Sequence, residues 1–279
     1  MQTVLTIAGF DPSSGAGVTA DLLVFAAHSL FGTACITALT VQSTLGVRSS
    51  HPIDAAVVGA TLDYLYADLP PAGIKIGMVG DATNIFTISS FIEKHRVKHH
   101  ASSKPRIPVV LDPVLRSSSG RELLDQQGIA ALREQLLPVV DWITPNLDEL
   151  AVLSGEKVEG RDAIPVLCKY LQEIAGKRGP LGVIATGGHL DPPDDYVLTP
   201  EGESLWLPGD RIVTRSTHGT GCAYSSAFLS RLVLEDSAFD AARSAKNYVA
   251  QALKIAQLQG LEYCAMNHLW PIHKPTIES

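Results

Sequence analysis

Residues 211–229 read RIVTRSTHGTGCAYSSAFL, a β-branched run, a glycine-rich turn and then a stretch of small residues. This order predicts a strand over 211–215 and a turn that opens a helix. Free backbone N–H groups and the helix dipole at such a start suit a phosphate or a developing oxyanion, here at Gly219, Thr220 and Gly221. Cys222 follows at the opening of this site, where the field of the helix dipole favours the thiolate over the thiol. The residues equally fit an ordinary strand–helix turn with a small buried cysteine.

The composition of the whole chain narrows its class. Its 279 residues are 46% hydrophobic and 18% charged, which favours one folded domain over 1–279 and argues against disorder. A net charge of −7 does not indicate the basic surface that binds nucleic acid. One basic cluster, between Lys94 and Arg106, falls in a predicted solvated connection. Residues 22–47 lack charge but carry His, Gln, Gly and several hydroxyls, so a buried helix and strand are expected there, and no membrane span.

The cysteines and the N-terminal residues indicate the compartment. Cys35, Cys168, Cys222 and Cys264 are widely scattered without a CxxC pair, which supports neither a disulfide framework nor a zinc site and fits a reducing cytoplasm. Asp11 interrupts the first apolar run, so no signal peptide is expected. The sequence therefore predicts a cytoplasmic protein.

Apolar strand-like runs alternate with helical patterns along the chain. Strands are predicted at 3–8, 34–41, 74–78, 108–111, 142–144, 181–185 and 211–215, with a hairpin at 196–198 and 204–207. Helices are predicted at 18–29, 53–67, 85–95, 129–137, 147–154, 163–175, 220–234 and 239–259. This alternation indicates a mostly parallel sheet covered by helices on both faces. Ligands in such folds bind at the carboxyl ends of the strands.

Two candidate ligand positions follow the first two strands. Residues 15–20, GAGVTA, imitate a dinucleotide fingerprint, but the second strand ends in VQST without the carboxylate that such a site needs. A glycine loop against a small substrate and a plain tight turn both remain open. Gln42 ends an otherwise apolar strand, and its amide suits the edge of an aminopyrimidine or simply closes a loop.

Later strand ends carry carboxylates and more glycines. Asp112 ends the fourth strand, and Glu149 lies three residues after Asn146 at a helix start. Asn146 and Glu149 fit a capping box, while Asp112 and Glu149 also suit Mg²⁺ held partly through water. Gly187-Gly188 fits either a close approach to a nucleotide or simple turn chemistry.

Together these motifs resemble the hydroxymethylpyrimidine/phosphomethylpyrimidine kinases of thiamine biosynthesis, within the ribokinase-like superfamily. The motifs that carry the resemblance are AGFDPSSGAG at 8–17, IGM at 76–78, DPV at 112–114, TPNLDE at 144–149, GGH at 187–189 and THGTGC at 217–222. The resemblance implies a three-layer αβα sandwich with a mostly parallel sheet. It also implies an enzyme that uses ATP and Mg²⁺ to phosphorylate a small pyrimidine, first the alcohol and then its monophosphate, as a homodimer.

The resemblance assigns expected roles to named residues. Cys222 is the candidate base, and the N–H groups of Gly219, Thr220, Gly221 and Cys222 form the anion hole. The residues expected near the pyrimidine are Gln42, Asp21, Gly9 and Met78. Those expected to border ATP are Asn146, Thr186, Gly187 and Gly188. Asp112 and Glu149 organise the magnesium.

One departure and two alternatives accompany this expectation. The family usually carries a lysine before Gly-Gly-His, where this chain has Thr186. Either the phosphate-neutralising charge is missing or another residue, Arg116 or Arg121 first, supplies it. A pyridoxal kinase of the same superfamily is the alternative enzyme, and a pyrimidine-binding sensor without activity is the alternative from another class.

Overall fold

The computed structural model describes residues 1–101, 106–176, 181–256 and 265–272, with the backbone alone for 97–101. The strands are β1 (Thr3–Phe10), β2 (Phe31–Ser43), β3 (Gly46–Pro52), β4 (Gly73–Ile76), β5 (Val109–Leu111), β6 (Trp142–Ile143), β7 (Gly182–Ala185), β8 (Asp195–Leu198) and β9 (Ser204–Leu207). The helices are α1 (Gly17–Ala27), α2 (Ala55–Asp68), α3 (Ala82–Ala101), α4 (Gln126–Ala131), α5 (Leu147–Ser154), α6 (Ala163–Ala175), α7 (Thr220–Val233) and α8 (Ala238–Lys254).

The described strands form one sheet in the order β3-β2-β1-β4-β5-β6-β7-β8-β9. The pairs from β2 to β7 are all parallel, whereas β3, β8 and β9 are joined antiparallel at the two edges. Parallel strands need helical crossovers, and these cover both faces. The predicted αβα sandwich with a mostly parallel sheet is therefore confirmed.

The period-two alternation of strand side chains divides the core into two layers. Along β5, Val109 and Leu111 pack with α2, α3 and α6, while Val110 between them packs with α1, α7 and α8 on the other face. The fully apolar strand sequences follow from this burial on both sides. Within the described residues, no helix combines the length and apolarity that a membrane crossing needs.

The structure differs from the sequence prediction at residues 211–215, at β3 and in the helix predicted over 129–137. Residues 211–215 form no strand, because Val213 is 96% exposed and charged neighbours leave this run no apolar face to bury. β3 was not predicted, since GVRSSHP lacks apolar alternation and is held by pairing with β2. The predicted helix over 129–137 ends as a regular α-helix at Ala131 and continues as one π-type and one 3₁₀ turn.

Part of the basic cluster lies on a helix and not in the predicted connection. α3 continues to Ala101, so Lys94 and Arg96 belong to it. Lys94 pairs with Asp63 at 2.8 Å and Arg96 with Asp141 at 2.8 Å. Asp141 also pairs with Arg106, so two carboxylates partly offset the charge of these three side chains. Lys104 lies outside the described residues.

Candidate active site

A cavity of about 620 Å³ opens at the carboxyl ends of the parallel strands, the position where ligands bind in such sheets. We divide its lining into two parts. The loop end consists of Gly9, Asp11, Gln42, Met78 and His218, and the carboxylate end consists of Asp112, Asn146, Glu149, Thr186 and Gly188. Gly219, Thr220, Gly221 and Cys222, at the start of α7, line the same cavity. Most residues predicted from separate motifs are thus brought together, and the exceptions are Asp21 and Gly187.

The start of α7 has the geometry of an anion site. Gly219 precedes the helix in the left-handed conformation, at φ 80° and ψ 13°, and no side chain caps the first turn. A Cβ on Gly219 would lie 1.8 Å from the carbonyl oxygen of Gly15, so only glycine permits this approach. The N–H groups of Thr220, Gly221 and Cys222 have no partner within the helix and face a ligand-sized cavity.

Asp11 and His218 join the two glycine-rich turns at the loop end. His218 Nε2 lies 2.7 Å from Asp11 Oδ2, and the Ser13 hydroxyl and N–H both donate to Asp11 Oδ1. Burial raises the pKa of Asp11, but the hydrogen bonds from His218 and Ser13 outweigh it and hold this pKa below its usual value. Asp11 therefore stays ionised and fixes the position of the turn before α7.

Gln42 and Met78 complete the loop end. Gln42 Nε2 lies 3.1 Å from His218 Nε2, and the Thr40 hydroxyl donates to Gln42 Oε1 at 3.1 Å. The Thr40 hydroxyl orients the amide at the cavity wall, because His218 Nε2 donates to Asp11 and cannot also accept from Gln42 Nε2. A Cβ on Gly9 would lie 2.9 Å from Met78 Sδ, so Gly9 lets the thioether approach the backbone. The arrangement offers an apolar surface beside one oriented amide.

Asp21 does not line the cavity, and the expected contact between it and the substrate is corrected. It is fully buried beneath the site, where it accepts hydrogen bonds from Thr6, from Ser226 and, at 2.9 Å, from Lys75. Lys75 Nζ also lies 3.9 Å from Asp112 Oδ2. Burial lowers the pKa of Lys75, but Asp21, Cys222 and Asp112 together outweigh this effect and raise it, so Lys75 carries a buried positive charge.

Cys222 is half-buried at the junction of the two ends. Burial raises the pKa of its thiol to about 12; Lys75 opposes this shift, while the Asp112 and Asp21 carboxylates add to it. The predicted stabilisation of the thiolate is therefore wrong for the unliganded protein. Loss of hydration and two nearby negative charges outweigh the field at the helix start.

Asp112 and Glu149 lie at the carboxylate end, where burial disfavours the ionised form of both side chains. Asp112 is 4% exposed and accepts from the Ser225 hydroxyl at 3.3 Å. Burial raises its pKa despite the attraction of Lys75. Burial and the Asp112 carboxylate together raise the pKa of Glu149 to about 8. A cation between the two carboxylates would relieve this repulsion.

Glu149 also forms the expected capping box. Its N–H donates to Asn146 Oδ1 at 2.9 Å, and its Oε2 accepts from the Asn146 N–H at 2.9 Å. No set of three His, Cys, Asp or Glu side chains in the described ranges could bind a metal. Mg²⁺ prefers few carboxylates together with waters and phosphates, so Asp112 and Glu149 fit this ion. The Glu149 carboxylate also accepts a hydrogen bond from the Leu115 N–H, so a metal ion would share its oxygens with these two donors.

The Thr186–Gly188 turn divides between the cavity and the interior. Thr186 and Gly188 line the carboxylate end, whereas Gly187 is buried and its N–H donates to Asp195 Oδ1 at 2.8 Å. A Cβ there would lie 1.7 Å from the carbonyl oxygen of Asp194. The expected contact between Gly187 and a nucleotide is thus corrected, since this glycine serves the packing of the turn.

Comparison with known proteins decides the family. The model of the phosphomethylpyrimidine kinase family matches residues 11–267. The chain belongs to this family. It is 36% identical to the hydroxymethylpyrimidine/phosphomethylpyrimidine kinase of Haemophilus influenzae over 96% of this chain and 97% of that one.

Two solved structures have folds similar to that of this chain. A phosphomethylpyrimidine kinase from Clostridium difficile has a TM-score of 0.76 at 30% identity and covers 90% of this chain and 99% of its own. An ADP complex of Bacillus subtilis pyridoxal kinase has a TM-score of 0.82 at 26% identity, over 96% and 97%. The fold is shared by both activities, and sequence identity favours the pyrimidine kinases.

Asp11, His218 and Lys75 are functional candidates that sequence reasoning did not single out. Asp11 and His218 belong to two of the motifs that carry the resemblance, but the sequence assigned no role to either. The two residues are 207 positions apart in the chain. Lys75 is a single charge inside an apolar strand. A lysine at a position buried on both faces was the available signal, because such a charge needs a partner.

Proposed function

We propose that this protein transfers the γ-phosphoryl group of ATP to 4-amino-5-hydroxymethyl-2-methylpyrimidine and then to its monophosphate, in thiamine biosynthesis. The observation that carries the proposal is the junction at Cys222. Around it, one cavity combines an uncapped helix start, an oriented amide at Gln42 and the Asp112–Glu149 carboxylates. Phosphoryl transfer needs positioning and charge stabilisation more than covalent chemistry, and these parts supply both.

The loop end would bind the pyrimidine. The Gln42 amide donates and accepts at once, so it matches an aminopyrimidine edge that has a ring nitrogen beside an amino group. Met78, at the Gly9 backbone, offers a polarisable apolar surface for the flat ring. The Asp11–His218 contact, at 2.7 Å, holds this end in place before the ligand arrives.

The reacting hydroxyl would lie at Cys222. Its oxygen forms the new bond to the γ-phosphorus while the bond from that phosphorus to the leaving ADP oxygen breaks, and its proton goes to Cys222 Sγ as the candidate base. N–H groups of Gly219 to Cys222 stabilise the charge on the transferring group. Because the thiol has a pKa of about 12 in the unliganded protein, the base role requires that this pKa fall when ligands bind. Lys75 is the charge on this chain that already lowers it.

The carboxylate end would receive the nucleotide. Asp112 and Glu149 would hold Mg²⁺, which when bound neutralises phosphate charge that the two carboxylates would otherwise repel. Asn146, Thr186 and Gly188 line this end and would border ATP. Thr186 offers a hydroxyl but no charge, unlike the lysine that the family resemblance leads one to expect.

Pyridoxal is the second candidate acceptor, because the TM-score of 0.82 to a pyridoxal kinase exceeds the 0.76 to a phosphomethylpyrimidine kinase. A panel of hydroxymethylpyrimidine, its monophosphate and pyridoxal, each with ATP and with or without Mg²⁺, separates the possibilities. We expect turnover of both pyrimidines, dependent on Mg²⁺, at a higher kcat/KM than for pyridoxal. The reverse preference supports a pyridoxal kinase, and pyrimidine binding without ATP consumption supports a sensor.

We further infer a cytoplasmic homodimer of single-domain chains. Cys35, Cys168 and Cys222 are free thiols, as expected of a reducing compartment. Leu39, Val41 and Leu45, on and beside β2, are 46%, 50% and 63% exposed and form an apolar surface that a second copy would cover. Light scattering coupled to gel filtration tests the dimer, and a monomer at micromolar concentration contradicts it.

A further inference from the structure

The cavity is lined by more acidic than basic side chains. Asp11, Asp112, Asp148 and Glu149 line it; Asp11 is paired with His218, and Asp112 lies 3.9 Å from the buried ammonium group of Lys75. Among the described lining residues, Arg116 is the only lysine or arginine. ATP and the phosphorylated pyrimidine would bring several more negative charges into the same space. One Mg²⁺ at the carboxylate end leaves much of this charge without a protein partner.

Lys75 cannot supply that partner. Its side chain is fully buried and bonded to both carboxylate oxygens of Asp21, at 3.0 and 2.9 Å. It does not line the cavity. Its charge acts on Cys222 and Asp112 from below, but a phosphate cannot reach its ammonium group.

Arg116 lies on a rigid backbone between the two ends of the cavity. Leu115 and Leu123 are joined by a backbone hydrogen bond of 2.9 Å, and Ser117 and Arg121 by another of 2.9 Å, so this segment is a tight hairpin. Two residues after Arg116, the Ser118 hydroxyl lies 3.3 Å from His218 Nδ1 at the loop end. Four residues before Arg116, Asp112 belongs to the carboxylate end. The backbone therefore places Arg116 between the two ends of the cavity, beside the region where phosphoryl groups would lie.

The side chain of Arg116 is held only weakly. It is 64% exposed and contacts Glu122 at 3.2 Å, and the Glu122 side chain is 71% exposed. An ion pair this exposed contributes little, since solvent screens it. A phosphate inside the cavity is a stronger partner, because the planar guanidinium binds two phosphate oxygens at once. Exchange of Glu122 for phosphate costs little and requires only rotation of the side chain.

We propose that Arg116 is the side chain that binds a phosphate group in this cavity, moving from Glu122 to the ligand when it arrives. The inference rests on the proposed kinase function. Two ligands present the same chemistry: the terminal phosphates of ATP and the phosphate of the pyrimidine monophosphate. Arg116 accordingly provides cavity charge that Thr186 cannot.

Arg116→Met tests the proposal, with Arg121→Met as the matched control on the same hairpin outside the cavity. Arg116→Met should lower kcat/KM by about 10- to 100-fold, as expected for a lost hydrogen bond to a charged group, while Arg121→Met stays near the wild type. The kcat/KM of Arg116→Lys should lie between those of Arg116→Met and the wild type, because lysine keeps the charge but cannot bind two phosphate oxygens at once. A loss of kcat/KM with both pyrimidines means that Arg116 binds a phosphate of ATP. A loss with the monophosphate alone means that Arg116 binds the phosphate of the acceptor.

Calorimetric titration of the same variants with Mg-ATP and with the pyrimidine monophosphate separates this inference from the proposed function. If the wild type turns over neither pyrimidine, the proposed function fails, and binding still tests Arg116. Weaker binding of either phosphorylated ligand by Arg116→Met than by Arg121→Met supports the inference. If the two variants bind both ligands equally and share the same kcat/KM, Arg116 contacts no phosphate.

Discussion

The two ends of the cavity shift the pKa values of their buried carboxyl groups in opposite directions. At the loop end, Asp11 is matched by His218 at 2.7 Å, and its pKa is lowered. At the carboxylate end, Asp112 and Glu149 face each other with raised pKa values, and Glu149 reaches about 8. The loop end is complete before any ligand arrives. The carboxylate end is left with an electrostatic imbalance that a bound cation would correct.

This difference indicates how the two ligands would be recognised. A neutral pyrimidine needs a fixed surface and one oriented amide, and preorganisation reduces the entropy lost on binding. A nucleotide arrives with its own metal ion, so the protein can leave two carboxylates with raised pKa values for that ion. The contrast is tested by substitutions at the junction, beneath it and at the loop end.

The largest effect is expected at the junction. Cys222→Ala should lower kcat by ~10²–10⁴-fold, the range for loss of a positioned acid–base group, and leave the melting temperature nearly unchanged. Cys168→Ala is the matched control, because Cys168 is fully buried in α6 within the apolar core, and this change should lower the melting temperature while kcat stays normal. Turnover near the wild-type value in Cys222→Ala removes the base assignment and leaves the anion hole as the main catalytic device.

The second effect concerns the pair beneath the site. Lys75→Met leaves the Asp21 carboxylate buried without its counter-charge, which should lower the free energy of unfolding by about 3–5 kcal/mol. Denaturant unfolding measures this change. The double variant Lys75→Met/Asp21→Asn should recover part of the loss, because the amide keeps neutral hydrogen bonds to Thr6 and Ser226. A loss below about 1 kcal/mol in the single variant argues that Asp21 does not need Lys75.

The smallest effect is expected at the loop end. Gln42→Leu removes the amide and should weaken pyrimidine binding by roughly 1–3 kcal/mol, since the polar edge of the ring is left unpaired. Mg-ATP binding should be nearly unchanged, because the nucleotide belongs to the other end. Ser43→Ala, an exposed position on the same strand, serves as the control. Calorimetry that finds equal losses for both ligands means that the two ends are not separate recognition sites.

The sequence predicted the parts of the fold that depend on local burial. Strands such as β5 and β7 are apolar throughout because both faces are covered, so they are visible without a structure. β3 was missed because GVRSSHP is a half-exposed edge strand, held by hydrogen bonds to β2 more than by its own side chains. The strand predicted at 211–215 fails for the converse reason, since β-branched residues there meet solvent, with Val213 96% exposed.

In the candidate site too, local sequence patterns were predictable and contacts between distant residues were not. The capping box of Asn146 and Glu149, three residues apart, is a local pattern, and the sequence alone predicted it. The glycine turn before α7 is local as well, and its left-handed residue, Gly219, was predicted as part of the anion site. Family membership follows from such motifs and their order, because each encodes a turn that needs particular residues.

Only the tertiary structure decided how the charges interact. The Asp11–His218 contact and the pairing of Lys75 with Asp21 join residues 207 and 54 positions apart, and no sequence pattern specifies either. The protonation of Cys222 depends on the same three-dimensional arrangement: at a helix start the sequence indicates a thiolate, but burial beside Asp112 and Asp21 raises the pKa to about 12. Electrostatic energy depends on distance in space and on exclusion of water, and both are set by packing rather than by order along the chain.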